Sequence, residues 1–138
     1  MKRSNAGFTT GELMVVIAII AILSAIAVPN MMGWRERAKL RGAFENLRGD
    51  LQWAKMRAIR DHDDVSVLFD SRAYEIQNVA GNTIRARQLP AGVIISSSSN
   101  ATFTSRGRCP GSGQAVLEKV NDSSQQRTIS ISPLGQIR

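Results

Sequence analysis

Three successive patterns of apolar and polar positions divide the chain. From Leu13 to Val28, fifteen of sixteen residues are apolar, Ser24 being the exception. A helix over this run covers about 24 Å at ~1.5 Å per residue. Phe8 on one side and Met31, Met32 and Trp34 on the other extend it to the ~30 Å of a hydrocarbon core. Pro29 removes one helical hydrogen bond, which predicts a kink or loosening near Ala25 to Pro29. The apolar residues then thin to a stripe. Leu40, Phe44, Leu47, Leu51, Ala54 and Ala58 step by four, three, four, three and four, the spacing of one buried helix face. Arg48, Lys55, Arg57 and Arg60 lie off that stripe and are expected in solvent, and Asp61-His62-Asp63-Asp64 ends the helix.

Beyond Asp64 the period changes to two. Strands are expected at Val65 to Phe69, Ala73 to Val79, Thr83 to Leu89, Val93 to Ile95, Ala101 to Thr104, Gln114 to Val120 and Arg127 to Ile131. Ser96-Ser97-Ser98-Ser99-Asn100, Ser105 to Ser112 and Asn121-Asp122-Ser123-Ser124 read as loops or turns. The fold class is therefore α+β, a long N-terminal helix packed on an antiparallel β-sheet domain.

Glu12 changes the meaning of the apolar run. A carboxylate at its edge is costly to insert and ordinarily has a partner and a role. An ordinary secretory signal, with Ala25-Ile26-Ala27 as the small-x-small site, accounts for Lys2, Arg3 and the run. It leaves Glu12 and the Gly7-Phe8 context without purpose. The stretch Gly7-Phe8-Thr9-Thr10-Gly11-Glu12, its short basic leader and the run Leu13 to Leu23 resemble the type IV prepilin signature. Thr10-Gly11 replaces the pair of large apolar residues usual before the Glu. The resemblance implies cleavage between Gly7 and Phe8 by a prepilin peptidase and N-methylation of Phe8. It also implies assembly through Glu12, with Pro29 at a position where the family commonly has one.

The second half narrows the resemblance. Leu89-Pro90-Ala91-Gly92-Val93, Phe103 to Gly107 and Ile129-Ser130-Ile131-Ser132-Pro133-Leu134-Gly135 are similar to the H-type pseudopilins of type II secretion and to FimT-like minor pilins. The implied organisation is a leader at 1–7, a transmembrane assembly helix at 8–34 and a periplasmic domain at 35–138. That domain has an amphipathic helix at 35–60 and a β-rich part at 65–138. The implied function is a structural subunit of a type II secretion pseudopilus or type IV pilus. It would be held by a single pass in the bacterial inner membrane, with other pilins or pseudopilins as partners.

Composition and charge add limits. Aromatic residues make up 5% of the chain, so the core is expected to be mainly aliphatic, and a single cysteine, Cys109, excludes an intramolecular disulfide. The formal net charge is +7, and the two positive charges on Lys2 and Arg3 leave +5 without the leader. Arg35, Arg37, Lys39 and Arg41 follow the apolar run with only Glu36 to offset them. The positive-inside rule would set them in the cytoplasm, opposite to the side the resemblance implies.

Such a basic domain suits anionic headgroups, nucleic acid or acidic subunits. FimT-like members that bind DNA carry a Gly-Arg-x-Arg tail. Here Gly135-Gln136-Ile137-Arg138 keeps one of the two arginines. Arg106, Arg108, Arg127 and Arg138 are thus candidate DNA-binding residues, in an alternative role in DNA uptake. The sole histidine sits in Asp61 to Asp64, where consecutive turn residues cannot easily converge on one ion, so no metal site is expected. With one Cys, one His and no phosphate-binding Gly loop or nucleophile elbow, neither an enzyme nor a cofactor is expected.

Overall fold

The computed structural model describes residues 8–120 and 122–138; Gly7 and Asn121 lie outside them, as does the side chain of Pro29. Helix α1 spans Thr10–Asp61 and is assigned as one element on both sides of Pro29, so the expected loosening does not interrupt it. The chain divides into two compact units, residues 1–36 and 37–138.

In the first unit the span Thr10–Ala27 is apolar and wholly unburied. Leu13, Ile17, Ile20 and Leu23 are all exposed, and so are Met14, Ile19, Ile22 and Ile26, so apolar groups surround the helix. A helix apolar on every side requires lipid or other helices around it. It is the one segment among the described residues long and apolar enough to cross a membrane.

The second unit packs the C-terminal part of α1 against two antiparallel sheets. Strands β1 (Val65–Phe69), β2 (Ala73–Asn78), β3 (Thr83–Gln88) and β5 (Ala101–Phe103) form one sheet in the order β3-β2-β1-β5. Strands β4 (Val93–Ser99), β6 (Gly113–Lys119) and β7 (Asp122–Ile131) form the other, in the order β4-β6-β7. Leu40, Leu47, Leu51, Ala54 and Ala58 of the expected stripe are buried, together with Ala43, while Phe44 is half-buried. They meet the inward residues of the strands, among them Val67, Ile76, Phe103, Leu117 and Ile129. The alternation is that of strands with one face on a core.

Two expected loops are strand. Ser96 to Ser99 continue β4 and pair with β6, with a register shift between Ile95 and Ser97. β7 likewise begins at Asp122, inside the expected turn, and Glu118 pairs with Gln126. Neighbouring backbone supplies the ladder for these polar residues, so their side chains can remain outside. The helix ends at Asp61 as expected, and His62 takes a positive φ of 59° just beyond it, the conformation of many helix C-caps.

Candidate functional site

Glu12 lies in the first turn of α1 and is held by Thr9. The Thr9 backbone N–H donates to Glu12 Oε2 at 2.9 Å, and the Thr9 hydroxyl reaches the same oxygen at 3.0 Å. The Glu12 N–H in turn donates to Thr9 Oγ1 at 3.2 Å. This reciprocal pair is a capping box, which satisfies helix-start donors that have no intrahelical partner. The spacing Thr9-x-x-Glu12 signals it, and the sequence reading missed it. Glu12 Oε1 makes no hydrogen bond recorded among the described residues. One carboxylate oxygen therefore organises the helix start, and the other has no partner among the described residues.

The four candidate arginines do not converge. Arg106 and Arg108 are exposed on the loop between β5 and β6, beside a cavity of about 550 Å³ lined with Asp64, Thr104, Ser105 and Pro110. A turn closed by Gly107 N–H to Thr104 O at 2.7 Å shapes that loop. The C-terminal tail lies against it. The Cys109 N–H donates to Pro133 O at 3.1 Å, and a Cβ on Gly135 would collide with the Gly107 carbonyl oxygen. Arg138 is exposed at the end of this tail, which pairs back on β7 through Ser130 and Arg138. Thus Arg106 and Arg108 share a loop that the tail touches at Pro133 and Gly135, while Arg138 lies beyond that contact, beside Ser130 of β7.

Arg127 is elsewhere. Its guanidinium stacks over Phe44 at 5.4 Å, beside Leu40, whereas the loop and tail meet α1 at Lys55 and Ile59. Leu40 and Lys55 are separated by about 22 Å of helix rise. Lys55, expected in solvent, is half-buried instead: its Nζ donates to Gly135 O at 2.9 Å and fastens the tail.

A second polar centre escaped the sequence reading. Asp50, 4% exposed, accepts from the Tyr74 hydroxyl at 2.7 Å, Arg85 at 2.6 Å and Arg87 at 2.8 Å. Arg85 also stacks over Trp53 at 4.1 Å. Burial pushes the Asp50 carboxyl up, but the bonds from Tyr74, Arg85 and Arg87 outweigh it and hold it below the ordinary aspartate value. The same centre raises Tyr74, through burial first and the Asp50 bond second. Every member bonds to another, so the cluster fastens α1 to β2 and β3. Its one signal in sequence is an acid at a position three residues after Leu47, beside the core stripe.

Among the described residues no group of three or more His, Cys, Asp or Glu side chains could hold a metal. Cys109 is free and buried, and burial pushes its thiol up and away from reactivity.

Residues 43–135 match the protein family described as type II transport protein GspH. The chain is 31% identical over 112 residues to the type IV wide pilus major component PilA4 of Thermus thermophilus, covering 79% of this chain and 78% of that one. It is also 30% identical over 124 residues to the fimbrial protein EcpC of Eikenella corrodens, covering 87% of this chain and 74% of that one, whereas matches to the type IV major pilin PilA of Myxococcus xanthus and to type II secretion core protein G span a fifth to about a third of those proteins. Among solved structures, the type IV minor pilin FimU of Pseudomonas aeruginosa superposes with a TM-score of 0.63 at 23% identity, over 76% of this chain and 90% of that chain. The minor pseudopilin EpsH of the Vibrio cholerae type 2 secretion system superposes with a TM-score of 0.60 at 12% identity, over 72% and 94%. At those identities the two structures speak for the fold.

Proposed function

Because the chain belongs to the type II transport protein GspH family, within the type IV pilin-like superfamily, we propose that it is a minor pilin or pseudopilin of a secretion pseudopilus or type IV pilus. In this reading a prepilin peptidase cuts between Gly7 and Phe8, Phe8 is N-methylated, and the helix holds the subunit in the inner membrane until assembly. The domain faces the periplasm. The observation that carries the reading is the unburied apolar helix headed by a single carboxylate. Lipid covers such a helix before assembly and neighbouring helices cover it afterwards.

Glu12 has the chemistry for register. After cleavage Phe8 bears the chain's ammonium group, and methylation keeps its charge. The open Oε1 of Glu12 can accept from the ammonium of a neighbour while Oε2 stays in the capping box. In a low-dielectric bundle such a pair selects one register more than it adds net stability. Glu12→Ala is expected to be cleaved and inserted, since it loses an insertion cost, yet to be depleted from purified filaments. Normal incorporation would remove the pairing role.

A second reading, DNA capture, is favoured by the joining of the Arg106 and Arg108 loop to the tail. The three arginines of the loop and the tail would make few phosphate contacts, so binding would be weak and salt-sensitive. In a gel-shift assay at low salt, Arg106→Gln with Arg138→Gln should abolish retardation of duplex DNA. Equal retardation by wild type and the double variant would end that assignment.

A further inference from the structure

The basic segment after the apolar run has no task in the assembly reading. Arg35, Arg37, Lys39 and Arg41 are all exposed, and the positive-inside rule counts against them on a translocated side. One of them belongs to a built cavity. Arg37 and Arg127 line a space of about 460 Å³ together with Leu40, Gln125 and Gln126. The lining holds two guanidiniums, two side-chain amides and an apolar floor, with no carboxylate. Asp122, which the Gln125 amide reaches at 3.0 Å, is itself occupied by the Ser124 hydroxyl and backbone N–H. Phe44 under the Arg127 guanidinium fixes that cation at the site.

We propose that this cavity binds the phosphate headgroup of an anionic phospholipid, with Arg37 and Arg127 on the phosphate. The proposal rests on the membrane-inserted reading above and specifies what the domain meets at the membrane surface. Arg37 follows Trp34, the last apolar residue of the run, by three positions. Whatever the angle between the two units, three residues reach at most about 10 Å. That is close to the ~8 Å Debye length at physiological ionic strength. The cavity is therefore tethered where a surface of negative headgroups attracts it. Exposed Trp34 suits the interface, and Arg35, Lys39 and Arg41 add charge around it. A compact cavity with an apolar floor fits a single headgroup better than the extended track of a nucleic acid. Arg127, which lies over Phe44 rather than on the Arg106 and Arg108 loop, acquires a role here.

The test uses the full chain in neutral-detergent micelles, titrated calorimetrically with dihexanoyl-phosphatidylglycerol. Dihexanoyl-phosphatidylcholine, inorganic phosphate and a duplex oligonucleotide are run beside it. Phosphatidylglycerol is expected to bind saturably and phosphatidylcholine far more weakly. At ~5-fold per cation near a headgroup surface, Arg37→Gln with Arg127→Gln should weaken binding by about 30-fold. Arg37→Lys with Arg127→Lys should retain most of it, and Arg106→Gln with Arg108→Gln all of it. Circular dichroism verifies that each variant is folded. Equal binding of the two lipids, or an unchanged Gln pair, overturns the proposal. Phosphate binding as tightly as the lipid would make this a free-anion site, and loss of oligonucleotide binding through the same two arginines would make it a nucleic-acid site; either overturns it. Flotation of the full chain with phosphatidylcholine vesicles tests insertion separately. Flotation without headgroup preference removes this inference and leaves the membrane reading; failure to float removes the membrane reading itself.

Discussion

A carboxylate buried to the extent of Asp50 has no water to fall back on when a donor is lost, and its three donors come from two strands. Asp50→Asn removes the charge that Arg85 and Arg87 share and leaves the Tyr74 hydroxyl a weaker acceptor. Breaking a buried pair from one side costs about 3–5 kcal/mol. The two arginine side chains are 36% and 44% exposed and keep some hydration, so about 2–4 kcal/mol is expected here. Thermal unfolding of the full chain followed by circular dichroism measures it. The pH dependence has a defined sign. The folded state depresses the Asp50 pKa, so its contribution is complete above the ordinary value near 4 and is lost as pH falls through the folded value. The wild type should therefore lose stability on acidification below about pH 4, and Asp50→Asn should lack that component. An identical acid profile in the variant would show that the cluster contributes nothing. None of this was legible beforehand, because Asp50 meets partners 24 to 37 residues away and local pattern carries no record of them.

Among the elements, those whose apolar period survives in sequence were the readable ones. The Leu40 to Ala58 stripe needed only the helical repeat, and Val65 to Phe69 and Ala73 to Asn78 needed only alternation. Ser96 to Ser99 and Asp122 to Ser124 are polar, so composition marked them as loop or turn while the fold includes them in strands. The tail was legible as a short closing segment but not as a fastened one. Gly135 sits at φ +75°, and the Gly107 carbonyl occupies the space a Cβ would need. Gly135→Ala should thus displace the tail, break the Lys55 bond and uncover the buried Cys109. Loss of a strained-φ glycine and its contacts should cost about 1–3 kcal/mol. Labelling with a thiol reagent should become much faster in Gly135→Ala. It should stay slow in Gly111→Ala, where a Cβ meets open space. Slow labelling in both would mean that the tail does not depend on this contact.

For the whole molecule, an apolar helix that is unburied over Thr10–Ala27 is joined in one chain to a domain with its own core. The helix needs a different environment from the domain, and a filament subunit drawn from a membrane provides both. This division was readable because fifteen apolar residues of sixteen leave few alternatives and because Glu12 is out of place in a disposable signal. The candidate site was only partly readable. The tail resemblance marked Arg138 and charge marked Arg106, Arg108 and Arg127, and only the fold separates Arg127, over Phe44, from the Arg106 and Arg108 loop. A filament subunit keeps this helix, whereas a secreted domain loses it. The most direct measurement is the intact mass of the protein recovered in the purified filament fraction. A filament subunit is expected as a chain beginning at Phe8 with a methylated amino group; a chain beginning at Val28, or its absence from the filaments, would rule that role out.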